Sequence, residues 1–171
     1  MESKFTNEQV LSAIRGQFGE KIGDEQQTKD NYLTIFVESE VVHDIILWLN
    51  QHSEFKVHFL TNITGVHFPN NEEGKEIVIV YHLHSLQTNF RLRLKAYLPI
   101  ANPSILSITD IYSAANWLER ETFDFFGINF VNHPNLTRIL NVEDMDYHPM
   151  RKEYHLEDET RQDKDNRFFG R

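Results

Sequence analysis

The sequence contains no cysteine, and that absence excludes more than any residue present establishes. Without a thiol there is no disulfide, no thiolate nucleophile, no Cys-type zinc site and no cysteine ligand for an iron–sulfur cluster. Glycine is scarce, with seven residues, and neither GxGxxG nor GxxxxGK[ST] occurs among them, so the backbone offers no phosphate cradle for NADH or ATP. No GxSxG turn is present, and the serines fall where caps and loops are expected. Basic residues are outnumbered 17 to 26, giving a net charge of -9, which excludes a nucleic-acid partner and repels anionic lipid. Long apolar runs are missing as well. The N-terminus MESKFTNEQV has no apolar h-region, and the least polar stretch, 97–118, is broken by Pro99, Asn102, Pro103 and Asp110. The expectation is a protein that is neither secreted nor membrane-spanning.

What remains is ample material for one folded domain. Of 171 residues 40% are apolar, enough to bury a core. Thr6 and Gln9 are spaced as a capping box ahead of Val10, Leu11, Ile14 and Phe18, and Gly19 ends that helical pattern. Residues 20–31 are charged and amide-rich and are expected to be a linker. Leu33, Ile35 and Val37 alternate with Tyr32, Thr34 and Phe36 in an interior strand, and a second helix follows from about Ser39 to His52. Phe55, Val57 and Phe59 suggest a second strand, Gly65 a bend, 69–74 a loop and 76–83 a β-branched strand.

The clearest strand is 90–98, where Phe90, Leu92, Leu94, Ala96 and Leu98 alternate with Arg91, Arg93, Lys95 and Tyr97. Its short spacing from the preceding strand predicts an antiparallel hairpin with a basic outer stripe. A third helix is expected over 110–126, capped by Thr109 and closed by Gly127, with Ile111, Ala115, Leu118, Thr122 and Phe125 inward and Glu119, Arg120 and Asp124 off that face. The order of elements predicts an α+β fold, with helices packed on an antiparallel or mixed sheet, spanning 1–128. Residues 129–154 lack periodicity and form an extended C-terminal arm. The last 21 residues carry six basic and six acidic side chains, so 155–171 is expected to be a tail that is disordered unless bound.

Three chemistries compete for the charged residues. His82 and His84 share one strand face and leave a His-metal hydrolase open, but no second ligand cluster stands near them in the sequence. Glu119, Arg120, Glu121 and Asp124 sit within two helical turns. Arg120 and Asp124 at i,i+4 form an internal pair on a solvated face, or the carboxylates act as acid and base in a cleft. The bland assignment is preferred. The third possibility explains more: an arm bearing His133, Arg138, His148, Arg151 and Lys152, stiffened by Pro134 and Pro149, suits docking against a partner.

The segment WLERETFDFFGINFVNHPNLTRIL, residues 117–140, resembles the signature of the 30 kDa subunit family of respiratory NADH:quinone oxidoreductase, which is complex I or NDH-1. The shared positions are Glu119, Arg120, Glu121, Asp124, Gly127, Ile128, His133, Pro134, Leu136, Arg138, Ile139 and Leu140. YHLHSLQTNFRLRLKAYLP at 81–99 is similar to the family's core hairpin and His148-Pro149-Met150-Arg151-Lys152 to its HP-x-RK segment, so the likeness runs over 32–154. Phe125-Phe126 stands where Met-Phe is common, His67 departs from the usual residue, and the ending Phe168-Phe169-Gly170-Arg171 is not a family feature.

The resemblance implies a protein with no catalytic residue and no cofactor of its own. It would sit in the peripheral arm of the proton-pumping complex, on the cytoplasmic face of a bacterial inner membrane and attached to the membrane only through that complex. Fe–S clusters, FMN, NADH and quinone would be bound elsewhere. The implied neighbours are the subunit that shares the quinone site and the one that holds the terminal Fe–S cluster. The nine charged and His residues 119, 120, 121, 124, 133, 138, 148, 151 and 152 become candidate interface contacts. The equivalent subunit of a membrane-bound hydrogenase or another quinone-linked dehydrogenase is the alternative.

Overall fold

A computed structural model describes residues 3–154. Its elements are helix α1 (Asn7–Phe18), strands β1 (Ile22–Glu25) and β2 (Leu33–Val37), helix α2 (Val42–Gln51), strands β3 (Phe59–His67), β4 (Ile77–Ser85), β5 (Phe90–Leu98) and β6 (Ser104–Leu106), helix α3 (Ala115–Phe126) and strand β7 (Asn129–Val131). The first five strands form one mixed sheet in the order β1-β2-β5-β4-β3, and β6 and β7 form a small parallel pair. The fold is α+β, as expected. Residues 132–154 form no helix or strand, and the tail 155–171 lies outside the described residues.

Local chemistry explains the elements. The Thr6 hydroxyl accepts the Gln9 amide at 3.3 Å and the Gln9 side chain accepts the Thr6 amide at 3.0 Å, so the capping box starts α1. Gly19, at φ +62°, stops it. The β4–β5 hairpin pairs Ser85 with Phe90 and Ile77 with Leu98, and its alternation separates two faces completely. Leu92, Leu94, Ala96 and Leu98 join Ile77, Ile79, Tyr81 and Leu83 in the core beneath the helices, while Arg91, Arg93, Lys95 and Tyr97 face away. β2 is interior, paired antiparallel to β1 and parallel to β5, which is the central strand.

Four expectations need correction. The stretch 20–31 is not only a linker: Ile22 inserts into the core and anchors the short edge strand β1. Phe55 and Val57 are buried but precede the strand, because Lys56 adopts φ +48° and breaks the extended path. Gly65 lies inside β3 rather than at a bend. A methyl group there would stand 2.7 Å from the Phe126 ring, so the glycine lets α3 approach the sheet.

The fourth concerns α3, which begins at Ala115 after a turn in which Ile108 O accepts both the Ile111 and Tyr112 amides. Thr109 does not cap it; its hydroxyl pairs with Ser107 at 2.8 Å. Ala115, Glu119, Thr122 and Phe126 form one buried side of α3, and Asp124 is buried on the other side. Thr122, donating to Ile63 O of β3 at 3.3 Å, and Phe126 on Gly65 set that rotation.

Candidate functional site

The two carboxylates expected on a solvated helix face are both fully buried, and each organises a different piece of chain. Glu119 faces the segment before α3. Its Oε1 accepts the Ile108 amide at 2.8 Å and its Oε2 accepts the Ser107 hydroxyl at 2.7 Å. Burial raises the carboxyl to about 7, against the lowering effect of those two bonds; nearby Asp110 raises it further and His43 lowers it. His43 and Asp110 are themselves paired at 2.9 Å.

Asp124 faces the arm. Its Oδ2 accepts the amides of Ile139, Leu140 and Asn141 at 3.1, 2.8 and 2.9 Å. Its Oδ1 accepts Arg138 Nη1 at 2.7 Å and Asn141 Nδ2 at 3.0 Å. Burial alone would raise this carboxyl, but the Asn141 and Leu140 amides, the Asn141 side chain and Arg138 together hold it well below the usual carboxylate range. The partner of Asp124 is thus Arg138, not Arg120. Arg120 instead donates to the carbonyls of Thr137 and Arg138 at 3.1 and 3.2 Å and stacks over Trp117 at 5.1 Å.

The arm also completes the C-terminus of α3. An α-helix leaves its last four carbonyls without intrahelical donors. Here the Gly127 amide takes Phe123 O at 2.8 Å, and Arg138 and His148 Nδ1 take Asp124 O at 3.2 and 3.0 Å. The Met150 amide takes Phe125 O at 3.1 Å, and Arg151 Nε takes Phe126 O at 2.8 Å. Two guanidinium groups therefore stand at the negative end of the helix dipole. Gly127 is required at this crossing: its φ is +73°, and a Cβ would lie 2.5 Å from the His148 ring and 2.7 Å from Arg151.

Further contacts hold the arm at both ends. His133 Nε2 donates to Asn116 O at 3.1 Å, Arg138 Nη2 donates to the carbonyls of Met145 and Tyr147 at 2.7 and 2.9 Å, and the Lys152 amide donates to buried His67 Nδ1 at 2.9 Å. The structure thus brings Arg120, Asp124, His133, Arg138, His148 and Arg151 into one clasp and sets Glu119 on the opposite side of the helix start. Among the described residues Glu121 and the Lys152 side chain have no hydrogen-bond or ion-pair partner. In the sequence His67 stands out only as a departure from the family pattern, and Asn141 is not among the candidates. Asn141 was findable as the residue after the RIL triplet; His67 gave no signal beyond its unusual identity.

His82 and His84 lie away from all of this on the outer sheet face, and no three His, Asp or Glu side chains among the described residues are grouped as ion ligands. No helix among them is long and apolar enough to cross a membrane.

The clasp orders the loop that follows α3, and comparison with known proteins identifies the family of the chain. Residues 35–160 match the family model described as "Respiratory-chain NADH dehydrogenase, 30 Kd subunit". The chain belongs to that family. A NADH-quinone oxidoreductase subunit of this type from Geobacter sulfurreducens is 35% identical over 156 residues, covering 91% of this chain and 94% of the relative. Its counterpart from Nocardioides sp. is 41% identical over 124 residues, 72% of this chain and 49% of the relative. The chain thus spans about half the length of some of the curated relatives that it matches.

A solved "Nqo5 of the trypsin-resistant fragment (1-134)" superposes with a TM-score of 0.62 at 27% identity, over 75% of this chain and 98% of that one. A chain of an archaeal membrane-bound sulfane sulfur reductase shares the fold, with a TM-score of 0.72 at 22% identity, over 87% of this chain and 85% of that one. Membership of the 30 kDa subunit family agrees with the α+β fold, which the Nqo5 fragment shares.

Proposed function

We propose that this 30 kDa family member is a structural and assembly subunit in the peripheral arm of a proton-translocating NADH:quinone oxidoreductase, and that residues 132–154 dock it there. The partners in this reading are the quinone-site subunit and the subunit of the terminal Fe–S cluster, on the cytoplasmic face of the inner membrane. In this reading electrons pass from NADH through FMN and Fe–S clusters to quinone elsewhere in the complex. The absence of cysteine and of a glycine-rich phosphate loop supports a chain that carries none of these groups itself.

The observation that carries the reading is the arrangement of the arm. His133, Arg138, His148 and Arg151 are turned inward onto α3, while Leu140 and Val142 are each 63% exposed and Tyr147, Met150 and Tyr154 are exposed as well. A segment clamped by its polar groups with its apolar groups outward has already lost its conformational entropy, so binding costs less. Glu119, Arg120, Asp124, His133, Arg138, His148 and Arg151 then serve the interface by shaping it, and Glu121 and Lys152 by direct contact.

The test is L140D/V142D in the native host. The expected result is loss of the chain from the purified complex, with an unchanged melting temperature for the isolated chain, since both side chains are exposed. Full incorporation of the double variant would overturn the docking assignment.

A further inference from the structure

The arm lies on the helical side of the sheet and leaves the other side unaccounted for. No described helix covers that outer face, and its valines, Val78 and Val80, are buried at the sheet surface yet stand outside the core cluster. The register places Arg91 beside His84, Arg93 beside His82 and Lys95 beside Val80. The cations stand over aromatic rings: Arg91 and Arg93 lie 5.5 and 6.0 Å from the Tyr32 centroid, and Lys95 lies 5.6 Å from that of Phe36. One of the three is neutralised, because Arg93 meets Asp30 at 2.7 Å. Among the described residues the other two have no carboxylate partner: Arg91 donates to the Tyr32 hydroxyl and Lys95 to the Gln26 amide oxygen at 2.7 Å, both uncharged acceptors.

A chain of net charge -9 therefore presents a patch of the opposite sign on its open sheet face. The patch acts on its own residues: burial first, then Arg93, lowers the proton affinity of both His82 and Lys95. Beside it the face turns apolar. Phe36 and Tyr97 stack at 4.6 Å, and Phe68 is 44% exposed at the rim of the same groove.

We infer that the outer face of the sheet is a second docking surface, which takes an acidic, partly apolar segment of a neighbouring protein in the complex, its carboxylates on Arg91 and Lys95 and its apolar side chains along Phe36, Tyr97 and Phe68. The inference rests on the reading of this chain as a subunit of a larger complex. Charge complementarity selects the occupant. Guanidinium accepts a carboxylate in a two-point contact, and a field of this sign rejects basic partners. Asp24 and Glu25 border the apolar end, so a phosphate-rich polymer or an anionic bilayer, both extended arrays of negative charge, would meet repulsion there.

The test uses the assembled complex. A zero-length carbodiimide, which joins an amine to a carboxylate, is expected to link Lys95 to an Asp or Glu of another subunit, identified by peptide mass spectrometry. R91E/K95E is expected to release the chain from the complex at low ionic strength, where its repulsion of the segment's carboxylates is least screened, whereas R91K/K95R holds. At about 1 M salt the screening length is about 3 Å, so the native contact weakens as well. Copurification of the chain, with Lys95 linked only within its own chain and R91E/K95E retained like the native protein, would overturn the surface while leaving the arm in place. Absence of any copurifying subunit would instead overturn the reading on which both stand. Binding of the isolated chain to phosphatidylglycerol vesicles, lost in R91E/K95E, would assign the face to lipid and refute the acidic-segment occupant.

Discussion

Replacing Asp124 with alanine is the sharpest probe of the clasp, because one side chain accepts five hydrogen bonds. Bonds to a charged acceptor contribute about 1.5–3 kcal/mol each, and a simple sum would exceed what any loop can hold. The five share one carboxylate and are not additive. The better bound is the loss of one member of a buried ion pair, about 3–5 kcal/mol, since Arg138 stays largely buried without its partner and three amides lose theirs. For a chain of this size each kcal/mol lowers the melting temperature by about 2–4 °C, so the expected drop is about 6–20 °C. The arm should open before the sheet does. At about 1.4 kcal/mol per decade, hydrogen exchange at the amides of Ile139, Leu140 and Asn141 should accelerate by roughly 10²–10⁴-fold. Unchanged exchange at those three amides, with a melt altered by less than about 1 kcal/mol, would refute the account of Asp124 as the anchor. The native clasp has a pH signature too. Its carboxyl is held below the ordinary value of about 3.9, so its stabilisation is present above that pH and is lost as pH falls further.

Glu119 has the opposite sign. Its carboxyl is raised to about 7 from an ordinary value of about 4.3, so the folded state holds the proton more tightly. Its contribution is fully present below about pH 4.3 and is lost as pH rises through 7, up to about 4 kcal/mol, and E119Q should flatten that slope in urea titrations run across the window. G127A should lower stability by about 2 kcal/mol or more, from the left-handed backbone and the clash with His148, read as a fall in the denaturation midpoint. G65A should cost about 1–3 kcal/mol, and F126L should recover part of that loss in the double variant, because the conflict is with one ring.

The hairpin of β4 and β5 was legible because its strict alternation has only one solution on a half-buried sheet, and α1 because Thr6 and Gln9 are a local device. β1 was hidden because four residues with one buried side chain carry no period. The rotation of α3 was misjudged for a different reason. Periodicity assigns polar residues outward, yet Glu119 and Asp124 are buried by partners 11 to 17 residues away along the chain, whose amides leave no trace in composition. The signature residues were visible as a motif. That most of them bind one another and the end of their own helix was not, because Arg120 and Asp124 at i,i+4 form a plausible local pair, and the longer-range Arg138 replaces it.

The parallel pairing of β2 with β5 has a consequence for how the chain finds this fold. β3, β4 and β5 are joined by short connections and pair as neighbours in sequence, so that meander can form from local contacts. Leu33 to Phe36, by contrast, must meet Leu92 to Lys95 across a stretch that includes α2 and the whole meander. The entropy of closing that loop is spent before the pairing returns anything. The barrier to folding is therefore the capture of β2 by a preformed β5. Weakening the β4–β5 turn should slow refolding, whereas truncating Ile35 should also speed unfolding.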